Sequence, residues 1–441
     1  MTAMAATETV GPDAVAESDA TSWRDWVGLG LVLVLLSLAT FSVPFPGSDS
    51  GRLDVYASEG LAAVIGAVLL VLLLTRRWRP GSACRRLILV SVVFLAWYLV
   101  VSGVRQATGE EVKQSALVLR TTILPLVCYA LIDIGWDRPL RVVRGLVLVD
   151  LGVSLVHLPE WQDMRMSDYL GNSMVYGAFL VMLIPLNVYV LATRGSSRGD
   201  VVLKVAAVLN LAFGLVMPVW TGSRSLTMLC GLVFVVSVAA LVRRAGVLLL
   251  IAAVVVVVGA THAAVWKTNP GGAAFGIYRV VPAPATNSAE EAAIEVVESE
   301  KGKADLNRSA LQRQSIDEIE EDPLFTDGRV YFPYDNDLGE ETASPHNFVL
   351  EHLNAYGVVG FLLYLGMFAV VLLPGCTTIS MRRPGAAENV CAWLTLGTTM
   401  GFSLAQPTMM IFTVTIPLWL VIAAMKHRQA ELSPAPPGSD R

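Results

Sequence analysis

Twelve apolar stretches, each long enough or nearly long enough to cross a bilayer, leave this chain few folds to choose from. A spanning helix needs about 20 apolar residues, and inside hydrocarbon every backbone N–H and C=O must be paired within the protein. The stretches fall at 26–43, 58–75, 86–103, 115–133, 140–157, 173–192, 201–219, 225–242, 245–262, 345–373, 389–405 and 408–425. The fourth contains Arg120 and the eleventh is rich in Thr and Gly, so these two are the weakest. With 54% hydrophobic and 16% charged residues, the composition suits a polytopic membrane protein and not a soluble enzyme around one core. The expectation is an all-α polytopic membrane protein of about 12 transmembrane helices, with one large hydrophilic loop carrying short amphipathic helices.

Basic residues crowd alternate loops: Arg76, Arg77, Arg79, Arg85 and Arg86, then Arg138, Arg141 and Arg144, then Arg194, Arg198 and Lys204. Arg243, Arg244, Arg382, Arg383, Lys426 and Arg428 continue the series, and Arg24 precedes it. The opposite short loops offer Arg52, Arg105, Lys113, Arg165 and Arg224. Positive charge stays on the cytoplasmic side, so both termini are expected there and the long segment 263–344 outside. The domain plan is a disordered cytoplasmic tail over 1–25, nine transmembrane helices over 26–262, the exterior loop 263–344, three more transmembrane helices over 345–425, and a cytoplasmic tail over 426–441. Residues 1–25 lack a basic n-region and read as a tail before a retained anchor, not as a cleaved signal. Arginine far outnumbers lysine, which points to a GC-rich bacterial genome and hence to a bacterial inner (cytoplasmic) membrane.

Several chemistries are excluded. The cysteines (Cys84, Cys128, Cys230, Cys376 and Cys391) sit in spans or on the cytoplasmic side, so 263–344 has neither a disulfide framework nor a thiolate metal site. There is no Gly-rich phosphate loop and no basic region interleaved with aromatics, so nucleic acid is not an expected partner. No cofactor and no metal are expected. The lipid bilayer is the one partner that composition alone demands.

The unusual polar residues collect on the exterior side. In Ala343-Ser-Pro-His-Asn-Phe348, Ser344 suits an N-cap and Pro345 a first helical position. His346 and Asn347 are then expected in the first turn of the tenth span. Free backbone N–H groups and the dipole at that end disfavour a protonated imidazole and attract anions. A neutral histidine beside an anion site suits a general base acting on a phosphate-linked substrate. Asn347 and Glu351 would support it, and Glu351 is the next candidate base. His157, His262 and His352 also fall at exterior span ends or just inside the tenth span, where an interfacial histidine satisfied by water is the plainer reading.

Trp220-Thr-Gly-Ser-Arg-Ser225 is the second constellation. It is so short a turn that Arg224 must sit at the exterior surface, in the first turn of the eighth span, where a cation opposes the helix dipole. Snorkelling to lipid headgroups is one reading. The other is a phosphate ligand: Gly222, Ser223 and Ser225 let a phosphate approach the backbone, and a guanidinium offers it a planar fork. The third is 304–321, a tolerable amphipathic helix with apolar positions Leu306, Ala310, Leu311, Ile316 and Ile319, carrying Arg308 and Arg313. It is expected to end at Asp322-Pro323, with Thr326-Asp-Gly-Arg329 as a tight turn.

Taken in order, these pieces resemble the O-antigen ligase and O-antigen polymerase superfamily of bacterial membrane glycosyltransferases. Thr221-Gly-Ser-Arg-Ser225 is similar to a family signature opening a transmembrane helix. Arg308 with Pro323-Leu324 is similar to its loop helix, and Pro345-His-Asn347 with Gly357 and Gly360 to its His-Asn…Gly-x-x-Gly segment. Gly171-Asn-Ser173 is similar to a further element but lacks its Pro-Asn pair. The resemblance implies an inverting, metal-independent transferase of the GT-C type. Its donor would be a glycan on undecaprenyl diphosphate, and its acceptor a hydroxyl of a glycan or glycolipid. Arg224 and Arg308 would hold the diphosphate, with Arg120 a further ligand or else a structural arginine paired to a neighbouring helix. His346 would deprotonate the acceptor. Ligase and polymerase chemistry both fit, since they differ in the acceptor.

Two other classes compete. A twelve-span transporter would place its binding residues near the span centres, which look almost featureless here. A non-catalytic polysaccharide-export subunit would give His346 no special role. An intramembrane protease lacks its motifs.

Overall fold

The computed structural model describes residues 42–44, 54–104, 119–135, 138–157, 173–193, 198–219, 224–242, 245–268, 310–328, 332–336, 339–343, 345, 347–374, 384–404 and 412–432. The helices are α1 (Ala57–Leu74), α2 (Ser82–Val104), a π-helical turn (Leu119–Ile123) running into α3 (Leu124–Asp133), α4 (Pro139–His157), α5 (Ser173–Ala192) and α6 (Arg198–Val216), extended by a 3-10 turn (Met217–Val219). Then come α7 (Arg224–Leu241), α8 (Ala245–Thr268), α9 over 310–321, α10 (Phe348–Leu372), α11 (Ala386–Ser403) and α12 (Phe412–Leu432). The described residues of the apolar stretches expected from the second to the twelfth lie on these helices or at their ends, with 115–118, 346, 405 and 408–411 outside the described residues. The first, 26–43, lies outside the described residues apart from Ser42 and Val43, which belong to a strand.

The fold is all-α as expected, apart from hairpins too short to change its class. Two short antiparallel pairs interrupt the helices: β1 (Ser42–Pro44) with β2 (Asp54–Tyr56), and β3 (Phe332–Asn336) with β4 (Gly339–Ala343). The second pair lies in the segment read as a loop with helices only. Its register, Phe332 opposite Ala343 and Asn336 opposite Gly339, delivers the chain to α10.

Among the described residues, α2, α6 and α10 are long and apolar enough to cross a membrane. Shorter apolar helices cover Gly60–Leu74, Thr121–Asp133, Gly177–Ala192, Leu226–Leu241 and Ala245–Ala260. Their outer faces carry Leu and Val that no protein contact covers, among them Leu74, Leu99, Val202, Leu232 and Leu249. Such a coat is an aggregation hazard in water but matches lipid tails. Inside it, α5 and α12 are covered all round: residues 177–191 and 414–425 are buried without interruption. α5 packs on α6, α7 and α11, and α12 on α3, α4 and α11. Gly177 lets α7 approach closely, since a Cβ there would collide with the Leu226 side chain.

The centre of the bundle is more polar than the sequence suggested. Asn187 Nδ2 donates to Asp150 Oδ2 at 2.7 Å, and Asn210 Nδ2 donates to Asn187 Oδ1 at 3.0 Å. This buried chain joins α4, α5 and α6. The almost featureless span centres expected from the sequence thus hold a polar chain, because polar residues spread one per helix are inconspicuous in a linear reading.

Hydrogen bonds and ion pairs sort the described helix ends into two groups. Gly81 N and Trp78 Nε1 donate to Asp133 Oδ2 at 3.0 and 3.2 Å, and His427 Nε2 lies 3.4 Å from Asp133 Oδ1. Lys426 Nζ donates to Pro374 O at 2.7 Å, and Arg144 pairs with Asp200 at 3.5 Å. The basic turns after α1, before α4 and before α6 thus share one end with the C-terminal part of α12. The starts of α7 and α10 and the π-helical turn lie at the other.

Candidate functional site

The second end is organised around the start of α10. Asn347 is the N-cap: its backbone is extended and its side-chain oxygen accepts from Val349 N at 3.0 Å. This corrects the expected start at Ser344 and Pro345. Serine and asparagine cap almost equally well, so the sequence could not rank them. His346 consequently precedes the cap, outside the first turn, and is itself outside the described residues.

One turn into α10 the side chains are sealed. Glu351, His352 and Asn354 are all fully buried. His352, expected at the wet interface, instead has Nδ1 2.7 Å from Phe348 O and its ring 4.3 Å from that of Tyr364. Its Nε2 has no hydrogen-bond partner among the described residues. An aromatic wall of Phe348, Tyr356, Phe361 and Tyr364 surrounds it. His352 is therefore a core residue.

At Gly357 the helix breaks. Its φ of 68° and ψ of 177° lie where only glycine is comfortable. The break turns Val358 N away from its helical acceptor, and it donates instead to Pro323 O at 2.9 Å. Asn354 O, which would have received that N–H, accepts from Thr326 Oγ1 at 2.6 Å. Trp97 Nε1, from α2, donates to Tyr356 O at 2.9 Å. Buried backbone groups released by a kink must find partners, and here a hydrophilic segment supplies two of the three. The glycine is also a steric requirement: a Cβ on Gly357 would strike the Leu324 carbonyl, and one on Gly360 would meet Trp97 Cδ1 at 3.2 Å.

That segment is α9 and the turn after it. The helix ends as expected before Asp322-Pro323, and Asp322 Oδ1 accepts from Leu324 N and Phe325 N at 3.2 and 3.1 Å. Thr326 and Gly328 both have positive φ, 39° and 74°, completing a tight turn. Phe325 stacks on Trp97 with centroids 5.8 Å apart. α9 lies with Leu311 and Ser315 inward, and Asn354 Nδ2 donates to Ser315 Oγ at 2.7 Å. Ile316, expected on the apolar face, is 42% exposed. The inward position goes to the serine because Asn354 faces it, which α9 alone could not reveal. Gln312 Nε2 donates to Pro345 O at 3.3 Å, next to His346.

Arg224 is the first residue of α7, and Arg120 sits in the π-helical turn, both at the α10-start end. Their side chains lie outside the described residues, as do Ser223 and Arg308 entirely. In sequence, Arg308 is two residues ahead of α9. Thr121, beside Arg120, has Oγ1 3.5 Å from Tyr356 OH, so the π-helical turn abuts the break. Such turns recur at functional sites. Arg313 is exposed on α9.

Residues 207–365 match the family model described as O-Antigen ligase. The match takes in Thr221–Ser225, Arg308, Pro323-Leu324, Pro345–Asn347, Gly357 and Gly360, while Arg120 and Gly171-Asn-Ser173 fall outside it. No curated protein matches the chain. The segment that docks α9 onto the break in α10 thus lies within the stretch, 207–365, that is similar to the O-antigen ligase family.

Proposed function

We propose that this membrane protein is a glycosyltransferase that moves a glycan from undecaprenyl diphosphate to an acceptor hydroxyl at the exterior membrane face. The observation that supports it most is that the described landmarks of the family-matched stretch lie at one bundle end: the start of α7, α9 with its Pro323-Leu324 turn, and the start of α10 at Asn347. The end opposite carries the basic loops, so the positive-inside rule favours placing the landmarks outside. In this reading Arg224 and Arg308, with Arg120 in addition, neutralise the diphosphate as it leaves. Preorganised cations aimed at developing charge stabilise a transition state by several kcal/mol. His346 takes the acceptor proton, and attack from the face opposite the leaving group inverts the anomeric carbon. Ser223, Asn347 and Glu351 support these groups. The reaction is proposed to need no metal.

Arg224→Ala should abolish transfer in membranes while leaving the protein level unchanged, and Arg224→Lys should restore only part of it because the bidentate fork is lost. Transfer should persist in EDTA. An alanine variant of full activity removes the diphosphate role. Whether the acceptor is another glycan chain, as in a polymerase, or a distinct glycolipid is decided by identifying the product.

A further inference from the structure

We propose that the buried polar chain joining α4, α5 and α6 binds a monovalent metal cation, with Na⁺ as the probe, and that Asp150 supplies the balancing charge. Asp150, Ser154, Asn187 and Asn210 are each 2% exposed or less. Asn187 Nδ2 donates to Asp150 Oδ2 and to Leu183 O. Asn210 Nδ2 donates to Asn187 Oδ1 and to Val147 O. Val147, Asp150 and Ser154 follow one another at helical spacing on α4, so they share one face of it. Both asparagines are bonded to that face. Along it, Asp150 Oδ1, Asn210 Oδ1 and Ser154 Oγ have no hydrogen-bond partner among the described residues. Buried polar atoms are ordinarily paired, and orphans gathered on one helix face point to a ligand.

The chemistry of the orphans selects it. Amide and carboxylate oxygens only accept, so an anion or an apolar group suits neither. Asp150 forms no ion pair with a described residue, and Arg144, the nearest arginine along α4, is paired with Asp200. A carboxylate inside a bundle surrounded by hydrocarbon is costly without a cation. One carboxylate balances one positive charge, whereas calcium gathers several, and transition metals favour imidazole or thiolate. No group of three or more His, Cys, Asp or Glu that could hold such an ion occurs among the described residues. An alkali cation on hard oxygens meets both demands and ties three helices together. None of these residues is among those assigned to transfer above.

Thermal unfolding of the full chain in lipid nanodiscs tests this, with NaCl replaced stepwise by choline chloride at constant ionic strength. A ligand that binds only the folded state stabilises it as its concentration passes Kd, so the melting temperature should rise saturably with Na⁺. Asp150→Asn keeps the size and removes the charge. Its melting temperature should ignore Na⁺, and in choline should equal or exceed that of the wild type, since an uncompensated buried charge is gone. Ser154→Ala, one oxygen poorer, should raise the half-saturating Na⁺ concentration several-fold. A wild-type melting temperature indifferent to Na⁺ overturns the proposal and leaves the orphans to buried water or a proton. A Na⁺ response retained in Asp150→Asn puts the ion elsewhere and overturns it too. Should Asp150→Asn fail to insert, an unchanged Na⁺ response in Ser154→Ala is the overturning result.

Discussion

The two ends of the bundle solve the same problem in opposite ways. At the end holding Lys426, polar side chains satisfy one another and their own helix ends. Lys426 Nζ donates to Pro374 O, to Asn389 Oδ1 at 3.1 Å and to Gln429 Oε1 at 2.6 Å. Tyr189 OH donates to Glu388 Oε1 at 2.6 Å, and Asp133 gathers Trp78, Gly81 and His427. Every one of these bonds ties one helix, or the turn beside it, to another or to its own next turn. At the end holding Asn347, backbone that α10 gives up at Gly357 is served by Trp97 of α2 and by two partners from the segment that follows α9. The first arrangement closes an end. The second turns a broken helix into a docking surface, and it is the one the family-matched stretch contains.

If that contrast governs function, damage at the α10 start should fall on transfer, and damage at the Lys426 end on stability. The largest effect is expected at His346. His346→Ala should lower turnover on the order of 10²–10⁴-fold, the usual contribution of general-base catalysis, without changing thermal stability in detergent. His352→Ala, six residues on but inside the aromatic wall, should do the reverse: a lower melting temperature from a lost buried ring and a nearly normal rate. Near-wild-type turnover in His346→Ala would leave the histidine a spacer before the cap and move the search for a base to Glu351.

Gly357→Ala should come next. It forces an alanine to φ 68° and drives its Cβ into the Leu324 carbonyl. Positive-φ strain alone costs about 1–3 kcal/mol, and the docked turn must move to relieve the clash. A displacement of about 1 Å at a reacting centre costs about 10²-fold in rate. Limited proteolysis should show residues 310–328 cut faster than in the wild type while α10 stays intact. Unchanged cleavage together with unchanged transfer would mean that the segment's docking does not matter.

Much of this contrast was hidden in the sequence, for identifiable reasons. Helix limits were readable because hydrocarbon demands a fixed apolar length: the stretch 173–192 coincides with α5 from Ser173 to Ala192. The landmarks Gly357 and Gly360 were also readable, but as a motif and not as a bend, because apolar residues run on through the break. The start of α10 was misplaced by the competition between two good caps. Ser315, Thr326 and Gln312 carried no signal, since each matters only through a partner 28 to 39 residues away. The buried Asp150–Asn187–Asn210 chain was missed likewise, its members lying on three separate helices.

The smallest effect on transfer is expected at Asp133, and it is the sharpest control on the contrast. Its carboxylate is 9% exposed and accepts from Trp78 Nε1 and Gly81 N, with His427 at 3.4 Å. Asp133→Ala strands those donors in a half-buried site, where each lost hydrogen bond to a charged group costs about 1.5–3 kcal/mol before relaxation. Water reaches His427, at 22% exposure, so its share is discounted. The melting temperature in detergent should fall by several degrees, because a change of 1 kcal/mol moves a chain of this size by roughly 2–4 °C or less. Transfer at low temperature should remain, since among the described residues this cluster makes no hydrogen bond to α9 or the α10 start. A variant that keeps its stability but loses transfer would show that the two ends are coupled through α3 and α12, and that the closed end is part of the machinery after all.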